Sequence, residues 1–262
     1  MNLHLYDVPA CRCADCLLYE VRNGPTEPDK RITLRRAEMI AGKLSVVTKM
    51  PGYSYGLDAL ACKRDEELMV KEGSVCSGCY ALGGWYQFPS AAKARGFRQN
   101  AIHDPKWVGA MVTLIKARCV GKDKSWFRWH DSGDLAGVWH LRSIVSIAYQ
   151  TESVKHWLPT REMEMVNDYL ELVENDTADP FPPNLVVRLS GDFYDKPVDL
   201  QGFNNLKHLT TSTVHRFTGI PVEFARRSDS IECLAPTRDH KCGSCRACWS
   251  PDVRNVSYVF HD

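Results

Sequence analysis

The stretch SWFRWHDSGDLAGVWHLRSIVSIAYQTESVKHWLPT, from Ser125 to Thr160, indicates the fold of this chain most directly. Its first ten residues alternate at strand period and end in a polar run, which predicts a strand followed by a loop. The apolar residues that come next share one side of a predicted helix: Leu135, Val138, Leu141, Ile144 and Val145. Residues 155–160, KHWLPT, then predict a second strand, and this order is expected of a parallel sheet.

The same alternation continues on both sides of this unit. Residues 104–120 and 161–175 carry helical patterns, and strand patterns occur at 43–49, 184–192, 205–214 and 230–236. About six strand candidates separated by helices predict an α/β fold, a full or partial (β/α) barrel of mainly parallel strands. We expect one domain with three parts: a cysteine-containing segment 1–42, a core 43–230 with a cofactor loop 51–84, and a cysteine-rich segment 231–262.

Composition narrows the class of protein. The 262 residues include 33 basic and 32 acidic side chains, so a net charge of +1 does not indicate a nucleic-acid or anionic membrane partner. No run approaches the roughly 18 apolar residues of a membrane helix, and the amino terminus lacks the pattern of a signal peptide. We therefore expect a cytosolic protein, in which metal binding explains the 11 cysteines better than disulfide bonds do.

The strongest motif is Cys233-x8-Cys242-x2-Cys245-x2-Cys248. Two successive C-x2-C steps can wrap a short loop around an iron–sulfur cluster, with the remaining thiolate supplied from further away. A tetrahedral zinc ion could use the same four thiolates. The motif therefore predicts a metal centre, with iron–sulfur favoured and zinc as the alternative.

A second group, Cys62-x13-Cys76-x2-Cys79, lies in the glycine-rich loop. Three cysteines hold a [4Fe–4S] cluster with one iron open to a small molecule, whereas a fourth ligand would close the site. Such a ligand could come from the amino-terminal group Cys11, Cys13 and Cys16, which could also bind a third centre or form a mobile end. Cys119 stands alone on a helical stretch and is expected to be a core residue.

Polar residues recur where the predicted strands end. They are His130, Asp131, Ser132 and Asp134, then Thr160 and Arg161, then Arg188, Ser190 and Asp192, then Thr211, Ser212, Thr213 and His215. Parallel α/β folds build their sites at this rim, although each residue alone is also typical of a helix cap or a surface ion pair. We assign candidate cofactor contacts to Asp134, Arg188, Ser190, Asp192 and Ser212, and candidate substrate contacts to His130, Asp131, Arg161 and His215.

Several long segments resemble the gene product eighty-eight family of phage proteins, first named in mycobacteriophages. They are KMPGYSYGLDALAC, GSVCSGCYALGGWY, FRWHDSGDL, WLPTRE, NLVVRLSGD, TSTV, KCGSCRACW and NVSY, spread from Lys49 to Tyr258. The resemblance implies a phage protein in the cytoplasm of an infected cell. It implies no particular activity.

The layout is more distantly similar to radical S-adenosylmethionine enzymes, whose partial barrel holds a three-cysteine [4Fe–4S] cluster after the first strand. That similarity implies Cys62, Cys76 and Cys79 as cluster ligands, Gly133 with Asp134 as contacts of S-adenosylmethionine, and an auxiliary cluster at the carboxy-terminal cysteines. A small-molecule substrate and an electron donor would be the partners. The chain departs from that family in its 13-residue first gap and in carrying Asp134 where the family has Glu. The alternatives are a non-catalytic iron–sulfur protein and a zinc-stabilised interaction protein.

Overall fold

Eight strands form one sheet in the computed structural model of the protein, which describes residues 32–203, 209–216 and 230–260. Their order across the sheet is β1-β2-β3-β4-β5-β6-β8-β7. The strands are β1 Ser45–Val46, β2 Tyr53–Tyr55, β3 Trp126–Trp129, β4 Lys155–Thr160, β5 Leu185–Tyr194, β6 Thr210–His215, β7 Ser230–Glu232 and β8 Asn255–Val259.

The sheet is mainly parallel and follows chain order along most of its width. From β2 to β6 each strand pairs in parallel with the next one in the chain, and β8 pairs in parallel with both β6 and β7. β1 pairs with β2 in the antiparallel sense. The predicted α/β class is confirmed, but within the described residues the sheet is open, with β1 and β7 as its edges.

From β2 to β5, at least one helix separates each strand from the next one in the chain. α1 packs against α4, α4 against α5, and α5 against α6, so one helix layer accompanies the sheet. No described helix combines the length and the apolar character needed to cross a membrane. The helices are α1 Leu34–Ala41, α2 Lys63–Leu68, α3 Pro89–Ala101, α4 Trp107–Arg118, α5 Val138–Gln150 and α6 Met163–Glu174.

The two faces of the sheet differ in chemistry because successive side chains of a strand point to opposite sides. Tyr55, Trp129 and Leu189 are fully buried in the apolar core that includes the helices. Arg128 and Arg188 lie on the other face, where the carboxy-terminal cysteine segment packs. Strand alternation thus places the helix layer on the side of Tyr55, Trp129 and Leu189, and the carboxy-terminal cysteine segment on the side of Arg128 and Arg188.

Two local predictions need correction, and one strand was not predicted. Residues 43–49 contain only the two-residue β1, and the first parallel strand is β2, inside the predicted loop 51–84. Gly52, beside β2, has φ +73 and lies so close to the backbone of Trp126 that a Cβ would overlap the Trp126 carbonyl. The sequence reading also missed β8, which inserts between β6 and β7 although it follows the last cysteines in the chain.

Candidate functional site

The carboxy-terminal cysteine group, Cys233, Cys242, Cys245 and Cys248, lies beside the sheet face opposite the helices. Cys233 follows β7, and its backbone N–H donates to the carbonyl of Ser257 at 2.7 Å. The other three cysteines lie on the segment before β8, where the backbone N–H of Cys242 donates to the Lys49 carbonyl at 2.9 Å. Strand pairing of β7 with β8 therefore joins Cys233 to the three cysteines that follow it.

Trp249 anchors this segment on the sheet. Its indole N–H donates to the Phe127 carbonyl at 2.9 Å, and its ring meets Trp126 and Trp157 edge-on at centroid distances of 5.7 and 5.1 Å. Only 4% of Trp249 is exposed. A side chain of this size contributes a large apolar area when it is buried, so Trp249 holds the cysteine next to it in place.

Arg188 makes a second anchor from the middle of β5. Its side chain is fully buried, and its two terminal nitrogens donate to four backbone carbonyls at 2.9 to 3.2 Å: Thr211, Val253, Ala247 and Ser250. Two of these carbonyls flank Cys248. The sequence predicted Arg188 as a cofactor contact, and in the structure its hydrogen bonds join β5 to the cysteine segment.

The four cysteines are close enough for their side chains to affect one another's ionisation. Burial raises the pKa of the Cys242 thiol, and the neighbouring Cys233 and Cys245 raise it further. Cys233 and Cys242 likewise raise the pKa of Cys248. Burial raises the pKa of the Cys248 thiol to about 11, although the Tyr258 hydroxyl, 3.2 Å from its Sγ, and Arg188 oppose this shift. Among the described residues, no three Cys, His, Asp or Glu side chains are already arranged as a metal site.

The first cysteine group, Cys62, Cys76 and Cys79, lies in the loop that leaves β2. Cys62 ends a 3₁₀ turn at Ala59–Ala61, which contacts the 3₁₀ turn Tyr80–Leu82 just after Cys79. Cys76 is buried, and its backbone N–H donates to the Ser74 hydroxyl at 3.0 Å. Contact between these turns brings Cys62 and Cys79 to the same region of the loop.

This loop is attached to the carboxyl ends of β5 and β3. The backbone N–H of Val75 donates to the Asp192 carbonyl at 2.8 Å, and Arg64 forms a 2.9 Å ion pair with the Asp192 carboxylate. The Tyr80 hydroxyl donates to the Asp131 carbonyl at 2.8 Å. The first cysteine group therefore lies over the rim that the sequence predicted as a site.

Gly133 and Asp134 shape the loop after β3. Gly133 has φ +75 and lies against Leu57, where a Cβ would collide with the Leu57 side chain and backbone. The Asp134 carboxylate accepts hydrogen bonds from the Thr160 hydroxyl at 2.6 Å and from the backbone N–H groups of Arg161 and Leu135 at 2.8 and 2.7 Å. These contacts connect the ends of β3 and β4, and the cofactor role of both residues stays a prediction.

His130 has an unusual conformation at the end of β3. Its φ is +53, its side chain is almost fully buried, and its ring lies 5.4 Å from that of His140. Burial, together with the nearby Arg128, lowers the pKa of His130 to about 3, so the imidazole is neutral at physiological pH. The predicted substrate role of His130 remains a prediction, as does that of the neighbouring Asp131.

Glu162 is a rim residue that sequence reasoning missed. Its carboxylate accepts the backbone N–H of Arg64 at 3.0 Å, while Arg161, one residue earlier, donates from Nε to the Gly191 carbonyl at 3.2 Å. Burial, with a smaller effect from the charge of Asp134, raises the pKa of Glu162 to about 7. The signal available in the sequence was its position immediately after Thr160 and Arg161, at the end of a strand.

The remaining predicted residues divide between the two faces. The Ser190 and Ser212 hydroxyls are 3.1 Å apart on the face of Arg188. His215 lies three residues beyond Ser212 and therefore on the helix side, where its Nδ1 is 2.7 Å from the Ser257 hydroxyl. The structure thus does not bring His215 and Ser212 together, and Cys11, Cys13 and Cys16 lie outside the described residues.

The fold and these sites define a class of protein. It is an α/β protein with a sequentially ordered, mainly parallel sheet, which carries one group of cysteines on its face and another over its strand ends. The chain belongs to the Gene product 88 family, whose model matches residues 30–251. The match confirms the phage family predicted from the sequence, and it includes the first and the carboxy-terminal cysteine groups but not Cys11, Cys13 or Cys16. No curated protein and no solved structure matches the chain.

Proposed function

We propose that the protein is an iron–sulfur protein whose carboxy-terminal cysteine group holds one cluster. The observation that carries this proposal is the packing of the four cysteines beside one sheet face, where pairing of β7 with β8 joins Cys233 to the segment of the other three. Burial raises the pKa of the Cys233, Cys242 and Cys248 thiols, and the nearby Arg238, Arg246 and Arg188 oppose this shift. Thiolate-bound metal centres carry net negative charge, and nearby cations stabilise the deprotonated ligands. The donor chemistry of the four thiols therefore fits a metal–thiolate centre.

The same four thiols could hold zinc, which is the alternative. Iron–sulfur binding is favoured by the second group, because Cys62, Cys76 and Cys79 supply three thiols rather than the four of a closed structural zinc site. Their loop lies over the carboxyl ends of parallel strands, where α/β proteins bind small molecules. This position supports a cluster with one iron open to a ligand.

The finer proposal is an enzyme of the radical S-adenosylmethionine type. The support is the sequential order of parallel strands and the loop that leaves the first of them with three cysteines. A reduced cluster of this kind supplies an electron for cleaving S-adenosylmethionine, so an electron donor would be a partner. The roles left to the chain are to position a small-molecule substrate at the rim and to exclude water, with Asp131, Arg161 and Asp192 as candidate contacts.

Metal and sulfide analysis of anaerobically purified protein tests the proposal. We expect about four iron and four sulfide per cluster. Cys245→Ser should remove one cluster and Cys79→Ser the other, whereas Cys119→Ala, in a core cysteine outside both groups, should retain both. Stoichiometric zinc without sulfide would establish the alternative, and a folded chain that binds neither metal would reject both.

Catalysis needs a separate measurement on the fully loaded protein. Under strong reduction, the wild-type protein should release 5′-deoxyadenosine from S-adenosylmethionine, and Cys79→Ser should abolish the release. If fully loaded protein formed none, the function would be that of a non-catalytic iron–sulfur protein. This outcome leaves the cluster proposal intact and rejects only the enzyme.

A further inference from the structure

A cleft of about 220 Å³ opens between α3, the 3₁₀ turn Gly84–Gln87 and the end of β3. Its lining includes Trp85 from the turn, Ala94, Arg95 and Arg98 from α3, and Asp131 from the rim. Ala94 and Arg95 each lie next to Arg98 on the surface of α3, because residues three and four apart are neighbours on a helix. The small side chain of Ala94 keeps the cleft open between the turn and the helix.

Two buried cations line this cleft. Arg95 and Arg98 are each 7% exposed. Arg98 donates to the carbonyls of Lys43 and Gly56, and Arg95 donates to the carbonyl of Tyr86, so these acceptors are neutral backbone groups. Neither arginine forms a salt bridge with a carboxylate in the described part of the chain. The lining holds one carboxylate, that of Asp131, whose charge acts on Arg98, beside the two positive charges. The excess of positive charge in this buried lining favours an anionic ligand.

An exposed aromatic side chain lines the same cleft. Trp85 is 81% exposed and stacks on Phe88, with ring centroids 4.8 Å apart and an angle of 15° between the rings. The aromatic residues Phe127 and Trp129, in contrast, are fully buried in the core. Contact with Phe88 holds the indole in one orientation and leaves its surface open, which suits stacking of a flat ligand ring.

Asp131 adds an acceptor of hydrogen bonds. Asp131 lines the cleft, while its Oδ1 is buried against Gly56 and has no hydrogen-bond partner among the described residues. An ionised carboxylate has two oxygens that accept hydrogen bonds, so Asp131 can accept one from an N–H group of a ligand. The cleft therefore combines cations, a flat aromatic surface and an acceptor for an amino group.

We propose that this cleft binds a nucleotide, with its base against Trp85, its phosphate toward Arg95 and Arg98, and an amino group of the base toward Asp131. A simple anion would make no use of the indole, and an uncharged nucleobase would make no use of the two arginines. A nucleotide meets all three features with one molecule. The inference depends on the cleft alone and holds whether the cysteines bind iron, zinc or no metal.

Calorimetric titration of the full chain with AMP, without divalent metal, tests the proposal. We expect saturable binding that is tighter than that of adenosine or inorganic phosphate. Trp85→Ala should weaken AMP binding by roughly 5- to 150-fold, the range that loss of a base–aromatic stack gives. Phe97→Ala, which removes a half-exposed aromatic ring from α3 outside the cleft lining, is the matched control and should bind as the wild type does.

Ala94→Phe provides a second variant at an exposed position, where folding should be unaffected. Its added ring fills the cleft and should abolish AMP binding while the melting temperature stays unchanged. The proposal is overturned if AMP does not bind saturably, or if both variants bind AMP as tightly as the wild type. Inorganic phosphate binding as tightly as AMP, or a single-stranded oligonucleotide binding far more tightly, would also overturn it.

Discussion

The two cysteine groups are attached to the sheet in different ways. The carboxy-terminal group lies on a sheet face, next to the buried Trp249 and to Arg188. The Arg188 guanidinium donates hydrogen bonds to four backbone carbonyls. The first group lies on a loop over the strand ends, and the loop is attached by partly exposed contacts such as the Arg64–Asp192 ion pair. We infer that the former segment is part of the stable core and that the latter can open locally without global unfolding.

The largest effect is expected from Arg188→Ala. This substitution leaves four carbonyls without their donor and creates a cavity on β5, so we expect the free energy of unfolding to fall by about 3–5 kcal/mol. Urea denaturation of the protein measures this change. Arg238→Ala, at an exposed position in the same segment, should change it by less than about 0.5 kcal/mol.

Arg188→Lys sharpens the comparison because it keeps the charge. A lysine ammonium has three donors on a flexible stem and cannot reproduce the planar arrangement that serves four carbonyls. We therefore expect a loss of stability between that of the wild type and that of Arg188→Ala.

If Arg188→Ala had the same urea midpoint of unfolding as the wild type, the carboxy-terminal segment would not be anchored in the way that we infer.

Glu162 is expected to make the stability of the rim depend on pH. Its folded pKa of about 7 lies above the ordinary value of 4.5, because burial disfavours the charged carboxylate. The folded state therefore holds a proton that the unfolded state releases between these two values, and stability falls as pH rises from 4.5 to 7. Allowing for solvent screening, we expect this group to lower stability by about 1–2 kcal/mol over that range.

Glu162→Gln isolates this contribution. A glutamine oxygen can still accept the backbone N–H of Arg64 but does not titrate, so the variant should show a flatter dependence of unfolding free energy on pH. Glu174→Gln, at an exposed position near the end of α6, is the control and should retain the wild-type slope. Equal slopes for wild type and Glu162→Gln would show that Glu162 ionises normally.

Arg64→Ala tests the attachment of the first cysteine group. The substitution removes the ion pair with Asp192 but keeps the backbone hydrogen bond to Glu162. Because Arg64 is about one third exposed, we expect a global loss of only about 0.5–1 kcal/mol, which should shrink at high salt. Reaction of Cys79 with a thiol reagent should become faster. An unchanged rate would mean that the ion pair does not hold the loop closed.

The sequence predicted the elements that have a clear period and missed those that depend on distant partners. The patterns around Val138 and Val166 predicted α5 and α6 correctly, because helical burial repeats locally. β8 was missed because its place between β6 and β7 is determined by pairing with strands far away in the chain. Likewise, the cysteine grouping was visible in the spacing, but the role of Arg188 as an anchor depends on carbonyls 23 to 65 residues away.

The smallest effect is expected from Tyr80→Phe, and it distinguishes local from global stability. Tyr80 is 59% exposed. Its hydroxyl and the Tyr86 hydroxyl both donate to the Asp131 carbonyl, at 2.8 and 3.4 Å respectively. Water and Tyr86 can replace the lost donor, so the unfolding free energy should change by no more than about 0.5 kcal/mol.

Hydrogen exchange provides a more sensitive measurement of the same variant. The Leu82 amide, which donates to the Cys79 carbonyl at 3.0 Å, should exchange faster in Tyr80→Phe than in Tyr86→Phe, because the Tyr86 contact is the longer one. The Trp249 amide, in the carboxy-terminal segment, should exchange equally in both variants. If Trp249 also lost protection, opening of the first cysteine loop would be coupled to the sheet face, and the two groups would form one cooperative unit.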